Sequence, residues 1–116
     1  MYLRISSATL LLLVLTACGA ESPPPPGDIV DCAIGAGADL SPVCTLELVA
    51  GAWEIVIHHP DGGFRRLSRD LATGTLAPLD GAEALVPEPG AGGTVQFAIG
   101  EDRYSIPPDL LEPAQP

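Results

Sequence analysis

The chain has no lysine, and its 116 residues carry only five Arg against fifteen Asp and Glu, a formal charge of −10. So few cations argue against nucleic acid as a partner, and against adsorption to anionic lipid headgroups, because both need basic side chains. The imbalance suits solubility or a cationic protein partner. No apolar run reaches the roughly 20 residues of a membrane-crossing helix. The motifs of common active sites are missing as well. Ser41, Ser68 and Ser105 stand in no G-x-S-x-G elbow. The Gly-Ala-Gly-Gly stretch at 90–93 has no Lys after it and no strand-to-helix setting, so it is no phosphate cradle. Asp61-Gly62 and Asp80-Gly81 are turn dipeptides and do not continue into a calcium-loop ligand series. No metal or other cofactor is expected, and nothing here assembles a catalytic set.

What is present begins at the N-terminus. Arg4 is followed by an apolar run from Ala8 to Leu15, broken only by Thr9, and then by small residues. A short basic start, an apolar core and a small-residue cleavage site make a secretory signal. The run closes on Leu15-Thr16-Ala17-Cys18. This tetrapeptide resembles the bacterial lipobox. The resemblance implies a diacylglycerol on the Cys18 thiol, removal of residues 1–17 and acylation of the new amine. Several acyl chains would hold the protein at a membrane stably, at about 0.8 kcal/mol per buried methylene. Gly19 follows the cysteine where enterobacterial inner-membrane lipoproteins have Asp, which favours the periplasmic face of the outer membrane. With Arg4 removed, four Arg face fifteen acids and the net charge is −11.

Residues 18–28 then read as a lipidated cysteine and tether. Pro23 to Pro26 present a preset polyproline backbone, spanning roughly 12 Å as a stiff spacer. With Cys18 taken by lipid, Cys32 and Cys44 remain. Two cysteines in an oxidising compartment imply one disulfide, closing a loop of 13 residues that stabilises by roughly 3 kcal/mol. A metal site there is disfavoured, because no second cysteine pair and no nearby histidine supplies further ligands. Asp31 is placed to cap a short helical turn through Cys32-Ala33-Ile34, ended by Gly35 or Gly37. The disulfide would pin that turn to the edge of a sheet.

From Val43 onward, alternating apolar and polar residues are punctuated by turn residues, the pattern of an antiparallel β protein. Strands are expected at 45–49, 53–59, 64–69, 75–77, 84–86, 94–99 and 103–106. The fold class is mainly β: a small antiparallel meander of six or seven short strands in an open curled sheet or small barrel, with one short N-terminal helical turn. The domain spans 29–107, with a disordered tail at 108–116. Pro60-Asp61-Gly62-Gly63 is a hairpin loop. Pairing His59 with Gly63 sets Ile57 against Arg65, Ile55 against Leu67 and Trp53 against Arg69. Trp53, Ile55, Ile57 and Leu67 then share the core face, and Glu54, His58 and Arg66 the other.

Three groups are candidates for chemistry or recognition. His58 and His59 precede Asp61, but neighbouring strand residues point to opposite faces and cannot easily hold one ion. Arg65, Arg66 and Arg69 concentrate positive charge on one strand of an acidic protein. They offer an anion or partner contact on one sheet face, or cross-strand pairs with Glu47, Glu54 or Asp102, which sheets commonly select. The third group is the acidic surface itself. The blocks Asp31-Cys32-Ala33, His59 through Leu67 and Asp102 through Pro107 resemble small, uncharacterised proteobacterial lipoproteins and secreted proteins. That resemblance implies no activity. Small β-barrel lipoproteins that inhibit lysozyme share the plan of lipid, disulfide and acidity, although their Ser-Gly inhibitory loop is missing here. A lipid-anchored, non-enzymatic envelope module is the expected function. A periplasmic inhibitor or assembly accessory is the alternative, and an enzyme using His58 or His59 comes last.

Overall fold

The computed structural model describes residues 25–49, 51, 53–81 and 83–111. The expected signal segment, the lipobox-like stretch with Cys18, the first part of the expected tether and residues 112–116 of the expected tail lie outside the described residues. Eight strands form one antiparallel sheet: β1 (Asp28–Ala33), β2 (Ser41–Val49), β3 (Glu54–His58), β4 (Phe64–Arg69), β5 (Leu76–Pro78), β6 (Leu85–Glu88), β7 (Val95–Ile99) and β8 (Asp102–Ile106). Their spatial order is β5-β4-β3-β2-β1-β8-β7-β6. The meander is therefore joined through its first and last strands, and β5 and β6 are its two edges. The sheet curls until these edges face one another, giving a nearly closed barrel with one open seam.

Alternation fills the interior. Leu46, Ile55, Ile57, Leu67, Phe97, Ile99, Tyr104 and Ile106 are all fully buried and belong to one core cluster. Their partners one residue away point outward, as a period of two requires. The register of the central hairpin is the expected one: Ile55 pairs with Leu67 and Ile57 with Arg65. The His59 N–H donates to the Gly63 carbonyl at 2.8 Å, and the Arg69 N–H to the Trp53 carbonyl at 2.7 Å. Trp53 departs from its expected place in the core. It lies beyond the end of β3, at the rim, and is 46% exposed.

Three further expectations are corrected. Residues 32–34 do not form a helical turn. Cys32 and Ala33 belong to β1, which pairs with β2 on one side and β8 on the other. A capping Asp and flanking glycines suggested a local helix, but burying Val30, Cys32 and Ala33 against two ladders outweighs that local preference. This adds an eighth strand. The Cys32–Cys44 disulfide forms, with Cα atoms 5.9 Å apart, but it ties β1 to β2 in the middle of the sheet rather than at its edge. Residues 108–111 are not a disordered tail either. They form a 3-10 turn that carries Leu111 into the core.

One end of the barrel holds the loops 34–40, 59–63 and 100–101 with residues 79–81, 83 and 84, and is called the distal end. At the other, the proximal end, β1 begins, the 108–111 turn caps the core, and Gly51, Trp53 and the loops 70–75 and 89–94 cluster. The chain enters here through Gly27, at φ +115°, where an added Cβ would collide with the Leu46 carbonyl. Only glycine accommodates both the backbone and the contact.

Candidate functional site

Inside the distal end, the apolar core gives way to a polar cluster. Tyr104 projects inward from β8, and its ring packs on Phe97, with centroids 5.2 Å apart. Its hydroxyl accepts from Arg65 Nε at 2.8 Å and meets His59 Nε2, also at 2.8 Å. With Arg65 on one of its two acceptor sites, the hydroxyl can donate its proton to an unprotonated His59 Nε2 or accept from a protonated one, according to the imidazole tautomer. Arg65 also donates to Asp102 Oδ2 at 2.9 Å and, more weakly, to the Ile99 carbonyl at 3.4 Å. The other Asp102 oxygen accepts from the Gly35 N–H at 2.8 Å.

Burial sets the protonation of this cluster. It pushes the Tyr104 hydroxyl up to about 12, against the opposing pull of Arg65. It lowers the His59 pKa, with the carboxylates of Asp102 and Asp61 resisting. For Asp102, burial works toward a higher pKa, but the Arg65 and Gly35 hydrogen bonds outweigh it and hold the carboxyl below its ordinary range. The result is a neutral imidazole, a neutral phenol and an ion pair, all mutually satisfied.

The cluster has a position that its chemistry alone does not reveal. Arg65 starts on β4 and reaches β7 and β8, on the far side of the seam. It spans the gap where β5 and β6 leave the ladder incomplete. The seam is also where the surface is concave. A groove of about 330 Å³ at its proximal end is lined by Leu76, Leu85, Pro87, Val95 and Phe97 among others. A smaller hollow of about 200 Å³ at its distal end lies against Arg65, Leu67, Pro78 and Ile99. Leu79 donates its N–H to Arg66 on β4, so the preceding Pro78 turns its proton-less nitrogen toward the seam. Proline there blunts an open edge.

The three arginines do not share a face. Arg65 points inward at the distal end. Arg66 points outward and pairs with Glu54 at 2.9 Å and Asp80 at 3.6 Å. Arg69 has the inward parity of Arg65 but stands at the proximal end, beside Leu76. The carboxylate pairs foreseen with Glu54 and Asp102 form, whereas Glu47 lies 3.4 Å from His58. The single anion-binding face is thereby replaced by a lumen brace, an outer ion pair and a separate proximal arginine. His58 and His59 do point to opposite faces. Among the described residues, no three His, Cys, Asp or Glu side chains converge as a metal set. No described helix is long and apolar enough to cross a membrane.

Sequence reasoning found Arg65, His59 and Asp102 separately but missed Tyr104, the residue that joins them. The signal available was its alternation with Ile106 on the last strand, which placed it inward. No protein-family model matches the chain, no curated protein is similar to it and no solved structure matches it.

Proposed function

We propose that this chain is a lipid-anchored envelope protein, held through Cys18, whose small β domain acts by binding or as a structural component rather than by catalysis. The observation that carries this reading is the ordered N-terminal sequence: Arg4, the apolar run, Leu15-Thr16-Ala17-Cys18, then a proline-rich stretch ending where β1 begins. A disulfide across β1 and β2 suits an oxidising compartment. Gly19 favours the periplasmic face of the outer membrane over the inner membrane. Envelope fractionation tests the reading. The wild type is expected in the membrane pellet and the Cys18→Ser chain in the soluble fraction. Equal sedimentation of the two would contradict it.

We read the His59–Tyr104–Arg65–Asp102 cluster as a structural brace, since each member is occupied by another. Joint replacement of His58 and His59 by Gln is expected to leave envelope behaviour unchanged at neutral pH.

A second reading has a specific observation in its favour. The distal loops carry Asp39, Asp61, Asp80, Glu83 and Glu101 and no Arg. A cationic protein captured at that end would make the chain an inhibitor or assembly accessory. Reversing Asp61 and Glu101 to Lys should then abolish capture of a basic partner from envelope extract, while reversal of Asp70, at the opposite end, should not.

A further inference from the structure

We infer that the proximal end of the barrel is a lipid-contact surface that lays Trp53 and Leu71 into the headgroup region of a zwitterionic membrane. The inference rests on the anchor reading for its orientation and on the fold for its chemistry.

The exposed large apolar side chains divide by location. Ile29, Val43, Phe64, Leu79 and Val86 lie on the outer wall or toward the distal end. Leu48, Trp53 and Leu71 instead occupy the proximal rim, on β2, just before β3 and just after β4, and are 36%, 46% and 58% exposed. Leu48 and Trp53 have the inward parity of core residues, yet they sit past the point where the barrel covers them. Pairing of Arg69 with Trp53 brings the 70–75 turn, and with it Leu71, beside the tryptophan. Trp is suited to a membrane interface because its ring is apolar and its indole N–H remains wet.

The tether decides which end meets the lipid. Nine residues, 19–27, separate Cys18 from β1, and they can span at most ~30 Å. Strands of this length are roughly 20 Å long. Touching down with the distal end would require the tether to run the full length of the barrel wall. The proximal end needs none of that reach, because the chain enters there.

Charge selects the lipid. Asp28, Asp70, Glu88 and Asp109 surround this end, and among the described residues only Arg69 opposes them. Asp70 is held ionised by the N–H groups of Ala72 and Thr73, which lower its pKa. Anionic headgroups would be repelled, and net-neutral phosphatidylcholine or phosphatidylethanolamine accepted.

Trp53 is the single tryptophan of the chain, so its fluorescence reports this surface alone. The wild-type protein is reconstituted into vesicles of dibrominated phosphatidylcholine, and acylation is read in parallel from its intact mass. The expected result is a blue-shifted Trp53 emission that is quenched by the bromines. Leu71→Asp should lose the shift and most of the quenching, and Phe64→Ser, at the far end, should keep both. Adding phosphatidylglycerol should reduce the quenching. Acylated protein with unshifted, unquenched Trp53 overturns the lipid contact and leaves the anchor standing. Quenched Trp53 without an acyl mass upholds the contact and overturns the anchor. Neither signal overturns both.

Discussion

Tyr104 is a buried phenol whose oxygen answers two otherwise unpartnered donors and acceptors. Replacing it with Phe keeps the ring packed on Phe97 but leaves Arg65 Nε and His59 Nε2 facing an apolar carbon. Stranding buried polar groups costs about 1–3 kcal/mol. Tyr104→Phe should lower the urea midpoint accordingly, with the barrel spectrum retained. His59 gives a pH dependence at the same place. Burial lowers its pKa below the ordinary 6.5, so the native state holds the neutral ring. As pH falls below about 6.5, the unfolded chain takes up this proton first, and the stability it supplied is lost as pH drops through the native pKa. Urea midpoints at pH about 7.5 and about 5 should therefore differ more for the wild type than for His59→Gln. Asp102 adds its own loss only further down, below the ordinary carboxyl range. These residues were unevenly legible in the sequence. Arg66 with Glu54 followed from hairpin register, because the two stand on adjacent strands. Arg65 with Tyr104 lies 39 residues apart and depends on the sheet curling, which alternation does not encode.

At the scale of elements, the strands from β2 to β4 and β7 to β8 were plain from β-branched alternation and from turns such as Pro60-Asp61-Gly62. β1 was not. Its glycine-rich exit and Asp31 favour a cap locally, and only pairing with β2 and β8 makes it a strand. β6 was expected only as 84–86, because Pro87 reads as the start of a loop; the strand runs on through Pro87 to Glu88, which an edge strand tolerates and a central one does not. The disulfide makes the β1 assignment consequential, since it locks the strand that joins both halves of the meander. Replacing Cys32 and Cys44 together by Ala should cost roughly 3 kcal/mol. For a domain of this size, that means a fall in Tm of roughly 4–8 °C for each kcal/mol, measurable by thermal denaturation with and without reductant on the wild type as control.

The whole molecule is a barrel that its hydrogen-bond ladder does not close. Side chains help to close it: Arg65 reaches across the distal part of the seam, and Leu76 and Leu85 both line the groove nearer the other end. Arg65→Met should accordingly raise amide hydrogen exchange in β5 and β6 well above that in β1 and β2, which keep both neighbours. Uniform change across all eight strands would mean that Arg65 acts on global stability rather than on the seam. Two ends with different characters follow from the same topology. One bears acidic loops around the brace, and the other bears exposed Trp53 and Leu71 where the tether arrives. The proposed anchor gives that polarity its meaning, and the intact mass of the protein recovered from its native membrane tests it most directly. The account predicts a chain beginning at residue 18, heavier than its sequence by a diacylglycerol and one further acyl group, with both additions absent from Cys18→Ser. A native chain that retains residues 1–17, or that begins near Cys18 with no added mass, would contradict it.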